Sequence, residues 1–188
     1  MEIRPVQPAD LPDLAEIDGT IDSAQYLHLD RSGDALALSW KLDERPLRQR
    51  RIHANRLDDE AGRHLLLKHV VTGIEDGLAL LAEHEGRVVA LALAQPQPDH
   101  GTLRVEDLRV DFDHRRQGVA TALLYQVIAA AREQGLRAVV VETRTDNVPA
   151  AHLLGRCGFE LSGLDDKRYS NHDLVKEAVA LYWYTALD

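Results

Sequence analysis

Between Thr102 and Glu142 a strand pattern gives way to apolar residues spaced at about 3.6 and then to a continuous apolar strand run, and few folds accept that order. Thr102–Val110 reads as a strand. Ala120–Glu133 then carries Ala120, Leu123, Leu124, Val127, Ile128 and Ala131 at the spacing of one buried helix face. Gln134-Gly135 ends that helix, glycine being the usual residue just past a helix terminus. Arg137–Glu142 follows as a strand whose Ala138–Val141 run is apolar without alternation, the pattern of a strand covered on both faces. A short helix over Val148–Arg156 after Asn147, a strand beginning at Gly158-Phe159-Glu160-Leu161 and a last strand over Glu177–Thr185 complete this half. Strands and helices alternating so closely predict an α/β core.

The first hundred residues are less regular. Ile3–Val6 reads as a strand, followed by a helix from near Ala9 with Asp10 or Asp13 in its first turn. Tyr26–Leu29 and Leu36–Trp40 flank Arg31-Ser32-Gly33-Asp34 as a hairpin would. Leu78–Glu83 and Arg87–Ala94 form a second hairpin about Glu85-Gly86, closed by Pro96 and Pro98. Between the hairpins Arg45, Arg48, Arg50, Arg51 and Arg56 make a basic stretch, either a solvated face of loop and helix or a wall of a substrate or cofactor cleft. No repeat, low-complexity tract or linker interrupts the 188 residues, so residues 1–188 are expected to form a single domain.

Composition removes several functions. A formal net charge of −9 opposes binding to nucleic acid and suits a cationic amine. No apolar run approaches the ~20 residues of a membrane span. Met1-Glu2-Ile3-Arg4-Pro5 lacks the features of a secretory signal, and Cys157 is the one cysteine; together they predict a cytoplasmic protein without an intrachain disulfide. The nine histidines show no ligand spacing, so no metal is expected.

The chemistry concentrates where the first strand of the regular half runs into its helix, at Val105-Glu106-Asp107-Leu108-Arg109-Val110-Asp111 and Arg115-Arg116-Gln117-Gly118-Val119-Ala120-Thr121. The first amides of a helix lack intrahelical acceptors and carry partial positive charge, which suits a pyrophosphate. Gly118 and Ala120 keep side chains away from those amides, Arg115 and Arg116 add charge, and Thr121 adds a hydroxyl. The plain alternative is a strand–helix turn with solvated arginines. The loop lacks the glycine spacing of a dinucleotide fingerprint.

Arg115-x-x-Gly118-x-Ala120 after Leu108-Arg109-Val110, followed by Glu142-Thr143, Asp146-Asn147-x-x-Ala150 and Gly158-Phe159, resembles the acetyl-CoA signature of the Gcn5-related N-acetyltransferase (GNAT) superfamily. The stretch from Val141-Glu142-Thr143 through Tyr169-Ser170-Asn171 to Lys176-Glu177-Ala178-Val179 and the closing Tyr182-Trp183 is similar to streptothricin acetyltransferases. The resemblance implies a twisted mixed sheet with helices on both faces and a splayed pair of central parallel strands. It implies acceptor specificity within residues 1–100 and an acetyl-CoA half over 101–188. Acetyl-CoA would be the co-substrate, with Leu108, Arg109 and Val110 pairing through their backbone with pantetheine. Arg115, Arg116, Gln117, Gly118, Val119, Ala120 and Thr121 would hold pyrophosphate, and Asn147 would touch the pantetheine arm. A homodimer is the family expectation.

Direct attack by an amine needs a base or a water chain for the ammonium proton and a proton for the departing thiolate. Glu106 and Glu142 are the candidate bases, or else hydrogen-bonded strand-end carboxylates; Asp107 alternates onto the other face from Glu106. The usual family acid is a Tyr four residues before Gly158-Phe159, but that position is Leu154. Tyr169 is the substitute, unless it is only a packed strand residue. Cys157 reads as a buried filler, His152 as a surface residue, and Tyr182 and Trp183 as core or dimer contacts. The expected acceptor is a small-molecule amine, such as that of an antibiotic, a polyamine or an amino acid, or else a protein amine. The rival expectations are an acyl-CoA-binding or sensing module without turnover, and a partner protein of the same shape without a cofactor.

Overall fold

The computed structural model describes residues 1–34, 36–55, 57 and 61–187. In chain order these are β1 (Glu2–Pro5), α1 (Leu11–Ala15), β2 (Ile21–Ser32), β3 (Ser39–His53), α2 (Ala61–Val71), β4 (Leu78–His84), β5 (Arg87–Gln97), β6 (Thr102–Val110), α3 (Val119–Glu133), β7 (Ala138–Arg144), α4 (Val148–Arg156), β8 (Glu160–Asp165), α5 (Asp173–Lys176) and β9 (Ala180–Ala186). One sheet has the order β1-β4-β5-β6-β7-β9-β8, and β2 and β3 form a separate pair. Two compact units interleave in sequence: Met1–Thr20, Ala54–Val141 and Tyr184–Asp188 in the first, Ile21–His53 and Glu142–Trp183 in the second.

In the first unit the β4–β5 hairpin turns on Glu85 (φ 51°) and Gly86 (φ 78°), the positive pair that a tight two-residue hairpin demands. β5 is buried without interruption from Val88 to Ala94, because antiparallel neighbours flank it and both α1 and α3 pack on it. The face of α3 behaves as its spacing predicts: Leu123, Leu124, Val127, Ile128 and Ala131 are buried, joined by Val119 in place of the half-buried Ala120. Leu14, Ile17, Leu57, Leu67, Leu81 and Leu91 anchor a further part of this core.

β6 pairs with β5 antiparallel and with β7 parallel. Leu93 faces Asp107 while the next residue, Ala94, faces Val105, so Glu106 is the extra residue of a β-bulge. The parallel ladder to β7 ends at Val105↔Val141, and β6 continues to Val110. Along β6 the exposure still alternates: Glu106, Leu108 and Val110 are half-exposed, whereas Val105, Asp107 and Arg109 are buried.

In the second unit β2 and β3 pair from Ile21↔His53 to Ser32↔Ser39, with one irregularity between Ser23 and Gln25. α4 packs on β2, and the Leu27 amide donates to the Thr145 carbonyl at 2.8 Å. Asn147 caps α4 by accepting from the Ala150 amide, and Pro149 occupies the first turn, where a missing N–H costs nothing. Val148, Ala151 and Leu154 form its buried face.

Several expected boundaries move. Leu36 lies in the β2–β3 connection, fully exposed, and β3 begins at Ser39. Arg45, Arg48, Arg50 and Arg51 lie on β3 rather than on a loop and helix, while Arg56 falls outside the described residues. Pro96 sits inside β5 instead of closing it. The last strand starts at Ala180, because α5 and a left-handed Glu177 (φ 55°) take up the residues before it. α2 has no counterpart in the expectations: Leu65-Leu66-Leu67 and Val70-Val71 merge into a run with no clear stripe, and only Leu67 of that helix is buried.

The buried ion pair on β6 carries a measurable load. Asp107→Asn leaves the Arg109 guanidinium, whose side chain is wholly buried, without its anion. The expected loss of stability by urea unfolding is about 3–5 kcal/mol, and a loss below about 1 kcal/mol would show that the pair is dispensable.

Candidate active site

In the first unit the strand-to-helix turn is held by one carboxylate. The Asp111 amide donates to the Val89 carbonyl at 2.8 Å, prolonging the ladder by one residue. Its side chain, almost fully buried, accepts from the amides of Asp18 (3.3 Å) and Asp113 (3.4 Å) and from Arg87 Nη2 (3.4 Å), and lies 3.2 Å from His114 Nδ1. Burial pushes the Asp111 carboxyl up, but these donors outweigh it and hold it below the usual carboxylate range.

Arg115 and Arg116 part company. The Arg115 guanidinium donates to the carbonyls of Val110 (3.1 Å), Thr20 (2.6 Å) and Asp18 (3.4 Å) and stacks 5.1 Å from the Phe112 ring centre. Arg116 is exposed with φ 62°. Gln117 and Gly118 are exposed too, and Gln117 donates to the Asp113 carbonyl at 3.3 Å. Gly118 is the residue that makes the turn work. It sits at φ 84° as the N-cap of α3, and a Cβ placed there would meet no atom within 4 Å. Having no side chain, it cannot cap the first amides of α3, which stay available to an anion. Val119 is buried, and Ala120 and Thr121 are half-buried. The loop residues present therefore fit a pyrophosphate: open space, unscreened amides and an exposed cation.

Glu106, the bulge residue, lies 3.3 Å from Arg104 Nε with a quarter of its side chain exposed. Leu108 and Val110 share its half-exposed face. The Arg109 side chain turns inward to Asp107 Oδ2 (2.8 and 2.5 Å) and to the Asn55 carbonyl (3.2 Å), and the residue as a whole is buried.

The second unit brings Tyr169 and Glu142 together. The Tyr169 hydroxyl donates to Glu142 Oε1 at 2.8 Å, and Arg168 Nε lies 3.6 Å from the same oxygen. Burial, and then the adjoining Glu142 carboxylate, push the Tyr169 phenol well above its ordinary value, so it remains a proton donor at neutral pH. Asp146 accepts from Arg144 through both oxygens (3.1 and 2.9 Å), and Arg51 (3.5 Å) and His53 (3.6 Å) approach it from β3. Asp173, at the start of α5, accepts from the Tyr169 amide (2.8 Å) and the Ser170 hydroxyl (2.6 Å). The Oδ1 of Asn147 is turned to the Ala150 amide at 3.3 Å.

Sequence reasoning missed Arg144, Asp146 as a hub, and Asp173. Asp146 stands inside the Asp146-Asn147-x-x-Ala150 motif, but only the structure shows how many cations share it; Asp173, the first residue of the four-residue α5, has no sequence signal. Leu154, where the usual acid would stand, is buried in the core face of α4. Cys157 is buried, His152 pairs with Glu44 at 2.9 Å on the surface, and Trp183 Nε1 donates to Thr143 Oγ1 at 2.8 Å. Among the described residues no helix is long and apolar enough to cross a membrane.

A family model described as the acetyltransferase (GNAT) family matches residues 37–159. The streptothricin acetyltransferase of Escherichia coli is 38% identical over 80 residues, which are 43% of this chain and 46% of that protein. The chain spans half or less of the length of the first curated relatives it matches. Among solved structures, nourseothricin acetyltransferase superposes with a TM-score of 0.79 at 25% identity, over 100% of this chain and 98% of that one. A protein assigned as a streptothricin acetyltransferase from Bacillus anthracis, solved in complex with acetyl coenzyme A, follows at 0.76 and 23% identity, again over 100% and 98% of the two chains.

The Tyr169–Glu142 contact sets the sign of a titration. Glu142→Gln removes the charge and the strong acceptor that hold the phenol up, so Tyr169 should ionise at lower pH than in the wild type. Tyrosinate absorbance, read against Tyr169→Phe as the blank, checks this; an unmoved midpoint would remove Glu142 as the cause.

Proposed function

The chain belongs to the acetyltransferase (GNAT) family, and on that premise we propose that it moves the acetyl group of acetyl-CoA onto the amine of a small molecule, by direct attack in a ternary complex. The observation that carries this reading is the turn at Gly118, left-handed, open and uncapped at the start of a fifteen-residue helix. Bound acetyl-CoA supplies the activated thioester. On this reading the amides at the start of α3, with Arg116, Gln117 and Thr121 around them, bind pyrophosphate. Arg115 shapes the loop through its three carbonyl contacts. The backbone of Leu108, Arg109 and Val110 orients pantetheine, and a backbone N–H near Val110 steadies developing negative charge on the acyl oxygen. Asn147 adds a polar contact to the arm.

Glu106 or Glu142 takes the proton of the ammonium so that the free amine can attack. As the carbon–nitrogen bond forms and the carbon–sulfur bond breaks, the electron pair leaves on sulfur and the Tyr169 hydroxyl supplies its proton; the acylated nitrogen sheds its remaining extra proton, which restores the phenol and leaves a neutral amide. Tyr169 thereby fills the role vacated by Leu154, and its high phenol pKa keeps the proton in place until then. The names of the similar proteins point to the acceptor class: an antibiotic amine of the streptothricin kind. In the same proposal the protein acts in the cytoplasm as one acetyltransferase domain and a homodimer, on a small molecule and not on nucleic acid or a membrane, its net charge of −9 favouring a cationic acceptor.

Release of CoA thiol from acetyl-CoA, tested against streptothricin, polyamines and free lysine, should depend on the streptothricin-type amine. No release with any amine, while acetyl-CoA still raises the melting temperature as a native-state ligand does, would replace the enzyme with a binding or sensing protein. Two variants localise the parts. Gly118→Glu, strained at φ 84° and bearing an anion, should weaken acetyl-CoA binding by at least about tenfold, ~1.4 kcal/mol. Glu106→Gln should lower kcat by about 100-fold if Glu106 is the base; wild-type turnover would pass that role to Glu142.

A further inference from the structure

Tyr169 is half-exposed on a connecting segment, a poor place from which to aim a proton, yet it is held at three points. Its amide donates to the buried Asp173 carboxylate, which also takes the Ser170 hydroxyl. Its hydroxyl donates to Glu142. Its ring lies 5.2 Å from the Arg144 guanidinium carbon, within the reach of a cation–π contact. Neither the base nor the acid of the proposed reaction uses Arg144.

Arg144 on its own would be a weak support. Its side chain is 44% exposed, and a free arginine explores many rotamers. Asp146 removes that freedom. Both carboxylate oxygens take the guanidinium fork, at Nε (3.1 Å) and Nη2 (2.9 Å), and the carboxylate itself is only 4% exposed. A bidentate fork fixes the plane of the cation as well as its position. Asp146 is in turn pinned by its own surroundings: Arg51 Nη1 and His53 Nε2 of β3 approach the same oxygen, and Arg51 reaches on to Glu177 Oε2 at 3.2 Å. A rigid, buried anion thus holds a planar cation against the phenol ring.

We infer that Asp146 and Arg144 are positioning residues for Tyr169, holding its ring so that the hydroxyl stays at the point where a proton is delivered. The inference rests on the reading of Tyr169 as the acid. Arg144 touches neither co-substrate nor acceptor in this role; it acts through the ring. Its positive charge beside the phenol also makes Tyr169 a stronger acid than the Glu142 contact alone would leave it.

The test combines kinetics with a spectroscopic signal that needs no substrate. Arg144→Met, which keeps the stem and loses the fork, should lower kcat roughly 10- to 100-fold, the range expected when a reacting group is displaced by about an ångström, with KM for acetyl-CoA within about twofold. In a Tyr169→Phe background the same change should cost nothing further, because the ring then has no hydroxyl to aim. In protein labelled with 13C at the tyrosine ζ carbon and free of acetyl-CoA, the resonance absent from Tyr169→Phe should broaden or move in both Arg144→Met and Asp146→Asn. Arg144→Lys, which keeps charge without the fork, should resemble Arg144→Met.

Wild-type kcat in Arg144→Met, an equal loss in the Tyr169→Phe background, or full recovery in Arg144→Lys would each overturn the positioning role. Wild-type kcat in Tyr169→Phe would instead remove the acid assignment, and the ζ-carbon resonance would then decide alone whether Arg144 holds the ring: an unmoved signal ends the inference.

Discussion

The register of β6 rests on a pair of charges that have no business inside a protein unless they meet each other. Arg109 and Asp107 share the buried face of the strand, with side-chain exposures of 0% and 3%. Taking such ions out of water costs several kcal/mol each, so the strand is stable only where they are joined. A slip by one residue would turn both out to the open face and bury Glu106, Leu108 and Val110 in their place, leaving the Glu106 carboxylate without a buried cation. The pair therefore acts on position more than on stability. It decides which of two faces carries the half-exposed carboxylate and the backbone that the proposed co-substrate would meet. The bulge at Glu106 works with it, giving β6 one residue more than β5 without disturbing the alternation on either side.

The same device recurs wherever a functional segment leaves a regular element. Asp111 ends β6 and gathers two amides, an arginine and a histidine at the entry to the α3 turn. Asp146 follows β7 and gathers two arginines and a histidine. Asp173 opens α5 and gathers an amide and a hydroxyl behind Tyr169. Each is almost entirely buried. A short carboxylate is rigid, with little rotamer entropy to lose, and it accepts several donors at once. That makes it suited to holding irregular backbone, for which no ladder or helix supplies partners. A chain with surplus acid spends part of it internally, as fasteners for loops.

How much of this could be read from the amino acids depends on the range over which each feature is determined. The strand–loop–helix–strand core was legible because Leu123, Leu124, Val127 and Ile128 fall on one helical face and Ala138–Val141 runs apolar, both local patterns. The start of a helix just after Asn147 and the open turn at Gly118 were legible for the same reason, each a local feature of a few residues; that Asn147 caps that helix was not read. The Tyr169–Glu142 bond joins residues 27 apart, and only their presence in one family pattern brought both forward. The partners of Asp146 lie on β3 and β7, and no spacing links Arg51 to Arg144. α2 failed for a different reason: the exposed Leu65 beside Leu66 and Leu67 blurs a face that the structure shows to be Leu66, Leu67, Val70 and Val71, packed on the core. Short-range rules find elements and caps. Buried charge, whose partners are chosen by folding, needs coordinates.

β3 is fifteen residues long and, among the described residues, pairs in its sheet with β2 alone; such an edge invites a neighbouring molecule to add another strand. Its arginines alter that outcome. Arg45 and Arg50 are tied across the hairpin to Asp30 and Asp22, with their charged heads still substantially exposed, and Arg48 is exposed beside them. A second copy docking edge to edge would have to strip water from these partly exposed charged groups. The basic stretch thus blunts this edge against added strands, whatever surface a second copy uses elsewhere, and replacing these arginines with apolar residues would leave the ribbon open to edge pairing.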